Sequence, residues 1–112
     1  MYQRAFTFEP LEATVELLQS HLRGSESQRV APIKTLPPVL CADGTTFSVQ
    51  ASDCHGCAPR CLAGPYLSAE LCCHGPIDGL EGDEVLPGVF VYRYVPLPRI
   101  VAVINAHGGF SV

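Results

Sequence analysis

Cysteines carry the most evident chemistry in this sequence, because three of its six lie close together. Cys54, Cys57 and Cys61 form a C-x-x-C-x-x-x-C cluster, and Cys72-Cys73-His74 follow further along the chain. Zinc takes four nitrogen or sulfur ligands in a tetrahedron, so the cluster with one later ligand satisfies the count. Adjacent residues of a strand point to opposite faces, which makes Cys72 and Cys73 poor partners for one ion. Two interpretations stay open: a structural zinc site, or small buried residues with free thiols.

Catalytic use of these thiols is disfavoured by their positions. His55 directly follows Cys54, whereas a nucleophile and its base usually meet from separate elements. A thioredoxin-type thiolate is stabilised at a helix N-terminus, but the prolines and glycines after Cys57 predict a loop. No phosphate-binding glycine motif is present, and the acidic residues 81–84 miss the spacing of a calcium loop. We therefore predict a binding protein without a cofactor rather than an enzyme.

Arginines and tyrosines remain as candidates for ligand contacts. Arg60 follows a proline in the predicted loop, and Arg93 stands in a segment that is otherwise apolar or aromatic. Tyrosine rings can stack on a planar group and hydrogen-bond through their hydroxyls; the candidates are Tyr66, Tyr92 and Tyr94. Guanidinium groups for phosphate and rings for a base suit a nucleotide-like ligand. The alternative is that Arg93 pairs with Glu70 across a sheet while the tyrosines pack a core or a subunit contact.

The elements that must position these residues follow from hydrophobic periodicity. Apolar residues at steps of four, three and four predict an amphipathic helix over residues 10–23, with Pro10 in its first turn and Gly24 as its stop. Aromatic residues before it are compatible with a short edge strand over residues 2–8. A connector rich in serine, glutamine and proline follows, and it ends at residue 38.

A sheet is predicted for most of the remaining chain. Asp43-Gly44 lies between two apolar runs and predicts a hairpin, because glycine tolerates the positive φ that the turn requires. The segments expected after it are a strand over 66–73, a flexible acidic loop over 74–88 and a strand over 89–95 with Phe90, Tyr92 and Tyr94 on one face. A second amphipathic helix is predicted from Pro96 to the stop at Gly108-Gly109.

Together these elements predict an α+β fold, with an antiparallel sheet of about four strands and two amphipathic helices on one face. A chain of 112 residues corresponds to one domain. Within it, residues 1–35 would form the N-terminal helix and connector, and residues 36–112 the sheet with its C-terminal helix.

Composition narrows the class of partner. The net charge is −4 and the seven cations are scattered along the chain, which argues against binding of a nucleic-acid polymer. A small anionic ligand stays possible, because it needs only one or two well-placed arginines. Charged residues make up only 16% of the chain, which favours a homo-oligomer with a buried contact. Neither a signal peptide nor a run of ~20 apolar residues is present, so we expect a cytoplasmic protein without a membrane partner.

An ordered set of short strings covering residues 36–109 resembles the Thoeris anti-defence sponge family of phage proteins. The strings are Leu36-Pro37-Pro38-Val39, Ala42-Asp43-Gly44, Ser48-Val49-Gln50-Ala51-Ser52, Ala58-Pro59-Arg60, Gly64-Pro65-Tyr66, Val91-Tyr92, Tyr94-Val95-Pro96 and His107-Gly108-Gly109. The resemblance implies an oligomeric α+β protein in the cytoplasm of the infected bacterium. It would bind a cyclic ADP-ribose-like immune signal and hold it away from its receptor without catalysis.

By the same resemblance Arg60 would contact a phosphate, and Gln50 and Tyr66 would line the ligand site. Arg93 and Tyr94 are added from the residues themselves. This sequence departs from the family pattern at Gly56, where an aromatic is usual, and again over residues 70–76, where a phenylalanine is missing.

Two other functions stay open beside this one. The first is a phage inhibitor that binds a host defence protein directly, such as a CRISPR effector, through the acidic residues 78–84. The second is a small zinc-stabilised binding module with Cys54, Cys57 and Cys61 as ligands.

Overall fold

The computed structural model describes residues 11–23, 35–62 and 64–111. Its elements, in chain order, are α1 Val15–Arg23, β1 Val39–Leu40, β2 Thr46–Gln50, β3 Ser68–His74, β4 Asp83–Leu86, β5 Val89–Pro96 and α2 Leu97–Ala106. The five strands form one antiparallel sheet in the order β1-β2-β3-β5-β4. This confirms the predicted α+β class, with one strand more than expected.

Helix α1 begins later than the predicted start at residue 10. Thr14 caps it, because the Thr14 Oγ1 accepts a hydrogen bond from the N–H of Leu17 at 3.2 Å. Leu11 is instead extended and forms an antiparallel bridge with Phe110. The apolar stripe is confirmed at Leu18 and Leu22, which are fully buried. The predicted strand over residues 2–8 and most of the predicted connector lie outside the described residues.

The hairpin around Asp43-Gly44 forms as predicted. Gly44 has a φ of +93°, a conformation that favours glycine. The N–H of Thr45 donates to the Asp43 Oδ1 at 2.9 Å, which closes the turn from the side-chain side. The strands β1 and β2 leave this turn in antiparallel register, with Val39 opposite Phe47.

Strand β4 is a correction to the predicted flexible loop over residues 74–88. It pairs with β5, with Asp83 opposite Val91 and a register shift between Glu84 and Leu86. Acidic residues are uncommon in strands, so the local composition gave no signal for this one. All four of its residues are exposed, as expected of a strand at the edge of a sheet.

One face of the sheet packs with both helices in a single core. That core includes Leu18 and Leu22 of α1, Ile100 and Ile104 of α2, and inward residues of the strands such as Val49, Leu71 and Tyr92. Helix α2 begins after Pro96, as predicted, and ends at Ala106, just before the predicted stop at Gly108 and Gly109, which both have positive φ. Within the described part of the chain, no helix has the length and apolar character needed to span a membrane.

Candidate ligand-binding site

A cavity of about 370 Å³ opens where the loop after β2 meets the end of β5. This volume falls within the usual range for small-molecule sites, ~300–1,000 Å³. Charged, aromatic and thiol groups line it: Cys54, His55, Gly56, Arg60, Glu70, Arg93 and Tyr94. Three of the five predicted ligand contacts, Arg60, Arg93 and Tyr94, therefore lie around one cavity. Arg60 is more than thirty residues away from the other two in the sequence.

A bulge in β5 is what turns Arg93 and Tyr94 to the same side. In the β3–β5 register Leu71 faces Tyr92 and Ala69 faces Val95, so β5 carries one extra residue at this point. Both Arg93 and Tyr94 are exposed, whereas adjacent residues of a regular strand would lie on opposite faces. The prediction that Tyr94 shares a face with Tyr92 is therefore wrong, since Tyr92 is buried and Tyr94 is 52% exposed.

Tyr94 has a φ of +55°, in the left-handed region that non-glycine residues rarely adopt. Its backbone N–H donates to the carbonyl of Gly56 at 2.8 Å instead of extending the sheet ladder. Strained backbone of this kind costs on the order of 1 kcal/mol and is often found at binding sites. The bulge therefore both shapes the cavity and attaches the loop to the sheet.

Gly56 fixes the loop that forms the other wall. Its N–H donates to the Glu70 Oε1 at 2.8 Å, and its carbonyl accepts from Tyr94. A Cβ at this position would lie 2.8 Å from the Cβ and the Cγ of Arg93, closer than side chains normally approach. The absence of a side chain at Gly56 is what lets the Arg93 stem lie across the loop.

A buried polar pair supports the loop from below. The Ser52 Oγ lies 2.6 Å from the His55 Nδ1 and accepts a hydrogen bond from the N–H of Cys54 at 2.9 Å. Ser52 is fully buried, so its side chain stabilises the loop rather than meeting a ligand, whereas His55 lines the cavity.

The two arginines of the cavity differ in what they contact. Arg93 makes an ion pair with Asp83 at 2.8 Å from Nη1 to Oδ2 and not with Glu70, so the pairing considered as the alternative to a ligand contact is wrong. Glu70 instead accepts from the Gly56 N–H. Arg60 follows the cis Ala58–Pro59 peptide bond and is exposed. Within residues 11–23, 35–62 and 64–111, no group hydrogen-bonds or ion-pairs with the Arg60 guanidinium.

Gln50 and Tyr66 do not line this cavity. The Gln50 side chain is buried and spans the backbone of Leu36, accepting from its N–H at 2.7 Å and donating to its carbonyl at 2.9 Å. The Tyr66 hydroxyl donates to the carbonyl of Cys61 at 2.8 Å, and the ring is 2% exposed. Both side chains are thus bonded to backbone groups outside the cavity lining, and direct contact with a ligand stays a prediction for each.

The cysteine cluster is spread over different environments. Cys54 is exposed, Cys61 is half-buried, and Cys57 is buried with its thiol directed at the carbonyl of Ser52, 3.2 Å away. Among the residues that the structure describes, no group of three or more His, Cys, Asp or Glu side chains is arranged to hold a metal ion. Zinc binding by Cys54, Cys57 and Cys61 stays a prediction for direct metal analysis.

Burial raises the pKa of the Cys57 thiol, and hydrogen bonding to Ser52 and the charge of Arg60 offset only part of that rise. The same cause, desolvation by burial, raises the pKa of Cys72 and Cys73. Thiolates are the reactive form of cysteine. These three thiols are therefore protonated near neutral pH. Cys73 is buried and Cys72 half-buried, in accord with opposite faces of β3.

Sequence reasoning missed three residues that build the site: Gly56, Glu70 in its actual role, and Asp83. The signal for Gly56 was present, since a glycine in a loop marks close approach of another group. Asp83 gave no signal, because its contact with Arg93 depends on β4 being a strand. Comparisons of the chain with protein-family models, with curated proteins and with solved structures found no match.

Proposed function

We propose that this protein binds and sequesters a cyclic ADP-ribose-like immune signal, without catalysis, as a phage anti-defence protein acting in the infected cell. The observation that carries the proposal is the convergence of Arg60, Arg93 and Tyr94 on one cavity. Two guanidinium groups beside an exposed ring match a ligand that has phosphates next to a planar base. The sequence resemblance to the sponge family supports the choice of this ligand class.

The charge balance of the cavity supports an anionic ligand. Arg60 and Arg93 face a single lining carboxylate, Glu70, and that carboxylate accepts a hydrogen bond from Gly56. Arg60 has no partner among the described residues. A phosphate there would form charge-assisted hydrogen bonds without displacing an existing contact. Arg60 is therefore assigned as the first phosphate contact, and Tyr94 as the ring that stacks on the base.

The surface around the cavity supports a homo-oligomer. Leu62 and Leu67 lie close in sequence to the cavity residues and are 46% and 77% exposed, and Tyr94 is 52% exposed. Large apolar side chains that are exposed in a monomer are often covered in a contact surface. A second copy seated on them would cover the open side of the cavity and exclude water from the ligand. Sequestration then needs only tight holding, since no bond of the signal has to break.

Native mass spectrometry of the purified protein with a panel of cyclic ADP-ribose isomers and cyclic dinucleotides tests this function. We expect an oligomer that gains the whole mass of one ligand class at fixed stoichiometry. A protein that ignores the entire panel would rule out the proposal. In the same spectra, a mass excess equal to one zinc ion per chain would favour the module held by Cys54, Cys57 and Cys61.

A second candidate function is inhibition of a host defence protein by direct contact. The observation that favours it is the continuous exposure of residues 81–88, which include three carboxylates and the apolar Leu86, 64% exposed. Such a surface suits a basic partner with an apolar recess, for example on a CRISPR effector. The test is complex formation with candidate effectors by analytical gel filtration. Leu86→Lys should abolish the complex, and an unchanged complex would rule out this surface.

A further inference from the structure

Arg93 forms the shared wall of two cavities. On one side is the ligand cavity, which also contains Arg60 and Tyr94. On the other side is a second cavity of about 360 Å³, lined by Glu81, Gly82, Asp83, Val91 and Arg93. Arg93 thus lies between a cavity that also contains Arg60 and Glu70 and a second cavity that contains the carboxylates of Glu81 and Asp83.

The stem of Arg93 is fixed while its head is not. The Cβ and Cγ of Arg93 lie close against Gly56, so closely that an added Cβ on Gly56 would be 2.8 Å from each. Among the described residues, only Asp83 pairs with the guanidinium itself, and the two side chains are 48% and 72% exposed. Exposed pairs of this kind contribute little to stability. The outer torsions of Arg93 can therefore change without disturbing the loop or the sheet.

Strand β4 brings the competing carboxylate to this point. Asp83 lies opposite Val91 in the β4–β5 register, and Arg93 is two residues further along the same strand. Residues related in this diagonal way on neighbouring strands are within reach of long side chains. Asp83 thus reaches the Arg93 guanidinium from the edge strand, outside the ligand cavity.

We propose that Asp83 is a positioning residue of the ligand site: it holds the Arg93 guanidinium on the β4 side until a ligand phosphate takes its place. This inference rests on the proposed function, because it requires an anion in the cavity of Arg60. Ligand binding then exchanges one ion pair for another. Asp83 lowers the affinity for phosphate ligands without blocking them, and it keeps Arg93 from being left unpaired in the empty site.

The test compares Asp83→Asn with Glu84→Gln, using inorganic pyrophosphate as the probe in NMR titrations. Glu84 is the neighbouring carboxylate of β4, and it accepts from the N–H of Gly88 rather than from an arginine. Both substitutions remove one negative charge from the same strand, so their difference isolates the contact with Arg93. Asp83→Glu keeps the carboxylate and should retain the weaker wild-type affinity.

We expect Asp83→Asn to bind pyrophosphate about two- to five-fold more tightly than the wild type, as the modest strength of an exposed ion pair allows. Glu84→Gln should give less than half of that gain. The Arg93 Nε–H resonance should move on titration in the wild type, and should begin from a different position in Asp83→Asn. If Asp83 had a purely structural role, Asp83→Asn would neither bind pyrophosphate more tightly nor change the starting position of the Arg93 Nε–H resonance.

Wild-type binding combined with equal affinities for Asp83→Asn and Glu84→Gln would overturn the role of Asp83 and leave the ligand site standing. No pyrophosphate binding by any of the four proteins would overturn both, because no anion would then compete for Arg93. Binding that appears only in Asp83→Asn would support the inference in its strongest form.

Discussion

The two ends of the sheet use similar residue types for opposite purposes. At the hairpin end, Asp43 accepts from Thr45 and lies 2.7 Å from the Nδ1 of His107, which also contacts the Thr45 hydroxyl at 3.2 Å. At the bulge end, the described residues leave Arg60 without a partner, and Arg93 is held by one exposed ion pair. Asp43, Thr45 and His107 satisfy one another and stabilise the fold, whereas the exposed guanidinium of Arg60 lies beside a cavity.

Backbone conformation separates the two ends in the same way. The positive φ at the hairpin belongs to Gly44, which adopts it without steric penalty. The positive φ at the bulge belongs to Tyr94, for which the left-handed region is unfavourable by roughly 1 kcal/mol. The hairpin end thus has the residue that its geometry favours. The bulge end keeps a strained tyrosine whose ring faces the cavity, which is understandable if that ring contacts a ligand.

The largest effect is expected when the charge of Arg60 is reversed, because this variant tests whether the bulge end binds an anionic ligand. Arg60→Glu should weaken nucleotide binding at least about 100-fold, since a hydrogen bond to a charged group contributes ~1.5–3 kcal/mol and the new carboxylate repels phosphate. The midpoint of thermal unfolding should stay unchanged, because no described residue pairs with Arg60. Isothermal titration measures the first effect and calorimetry the second.

Arg23→Glu is the matched control, because Arg23 is exposed at the end of α1 and away from the cavity lining. It makes the same change in net charge and should leave binding within about two-fold of the wild type. Full binding by Arg60→Glu, or equal loss in both variants, would contradict the assignment of Arg60.

A side chain at Gly56 should destabilise the bulge end through steric overlap with Arg93. Gly56→Ala should lower the free energy of unfolding by about 1–3 kcal/mol, the usual effect of overpacking, because its Cβ would meet the Arg93 stem. Binding should weaken too, since Arg93 must shift. Urea unfolding and ligand titration give the two readouts.

Gly44→Ala provides the comparison at the hairpin end. An added Cβ there meets nothing within 4 Å, so only the positive φ of +93° opposes it, at roughly 1 kcal/mol. Ligand affinity should not change in this variant. If Gly44→Ala weakened binding as much as Gly56→Ala, the two ends would not be independent.

The smallest effect is expected at the hairpin end and depends on pH. Hydrogen bonds from the Thr45 backbone and from His107 lower the pKa of the Asp43 carboxyl from 3.8 to about 2. A lowered folded-state pKa stabilises the fold fully above the ordinary pKa, and this contribution is lost as pH falls toward the folded value. The stability advantage of the wild type over Asp43→Asn should therefore shrink as the pH falls from about 4 to about 2.

Urea unfolding of both proteins across this pH range measures the difference directly. A stability difference that does not vary with pH would mean that the hydrogen bonds to Asp43 act equally on its charged and neutral forms. Ligand binding above pH 5 should be the same in Asp43→Asn and the wild type, in keeping with the separation of the two ends.

Parts of the candidate site were predictable from residue type alone. Arginine and tyrosine in a chain with few charges are conspicuous, and Arg60, Arg93 and Tyr94 do share one cavity. Gln50 and Tyr66 were less predictable. Whether a polar side chain in a strand or loop meets a ligand or a backbone group depends on what lies beside it. For Gln50 that neighbour is Leu36, and the Gln50 side chain hydrogen-bonds to both the backbone N–H and the backbone carbonyl of Leu36.

The sequence by itself determined the helices, the hairpin at Asp43-Gly44 and the strand β5, because each follows from the local preferences of its own residues. Only the tertiary structure decided the bulge at Arg93 and Tyr94, the strand β4 and the ion pair of Arg93 with Asp83. Each of these depends on pairing between strands that is set by the packing of the whole sheet. The residues of one segment do not determine which residues of another strand will lie opposite them. In this protein the pairing of β3, β4 and β5 determines the shape of the candidate site.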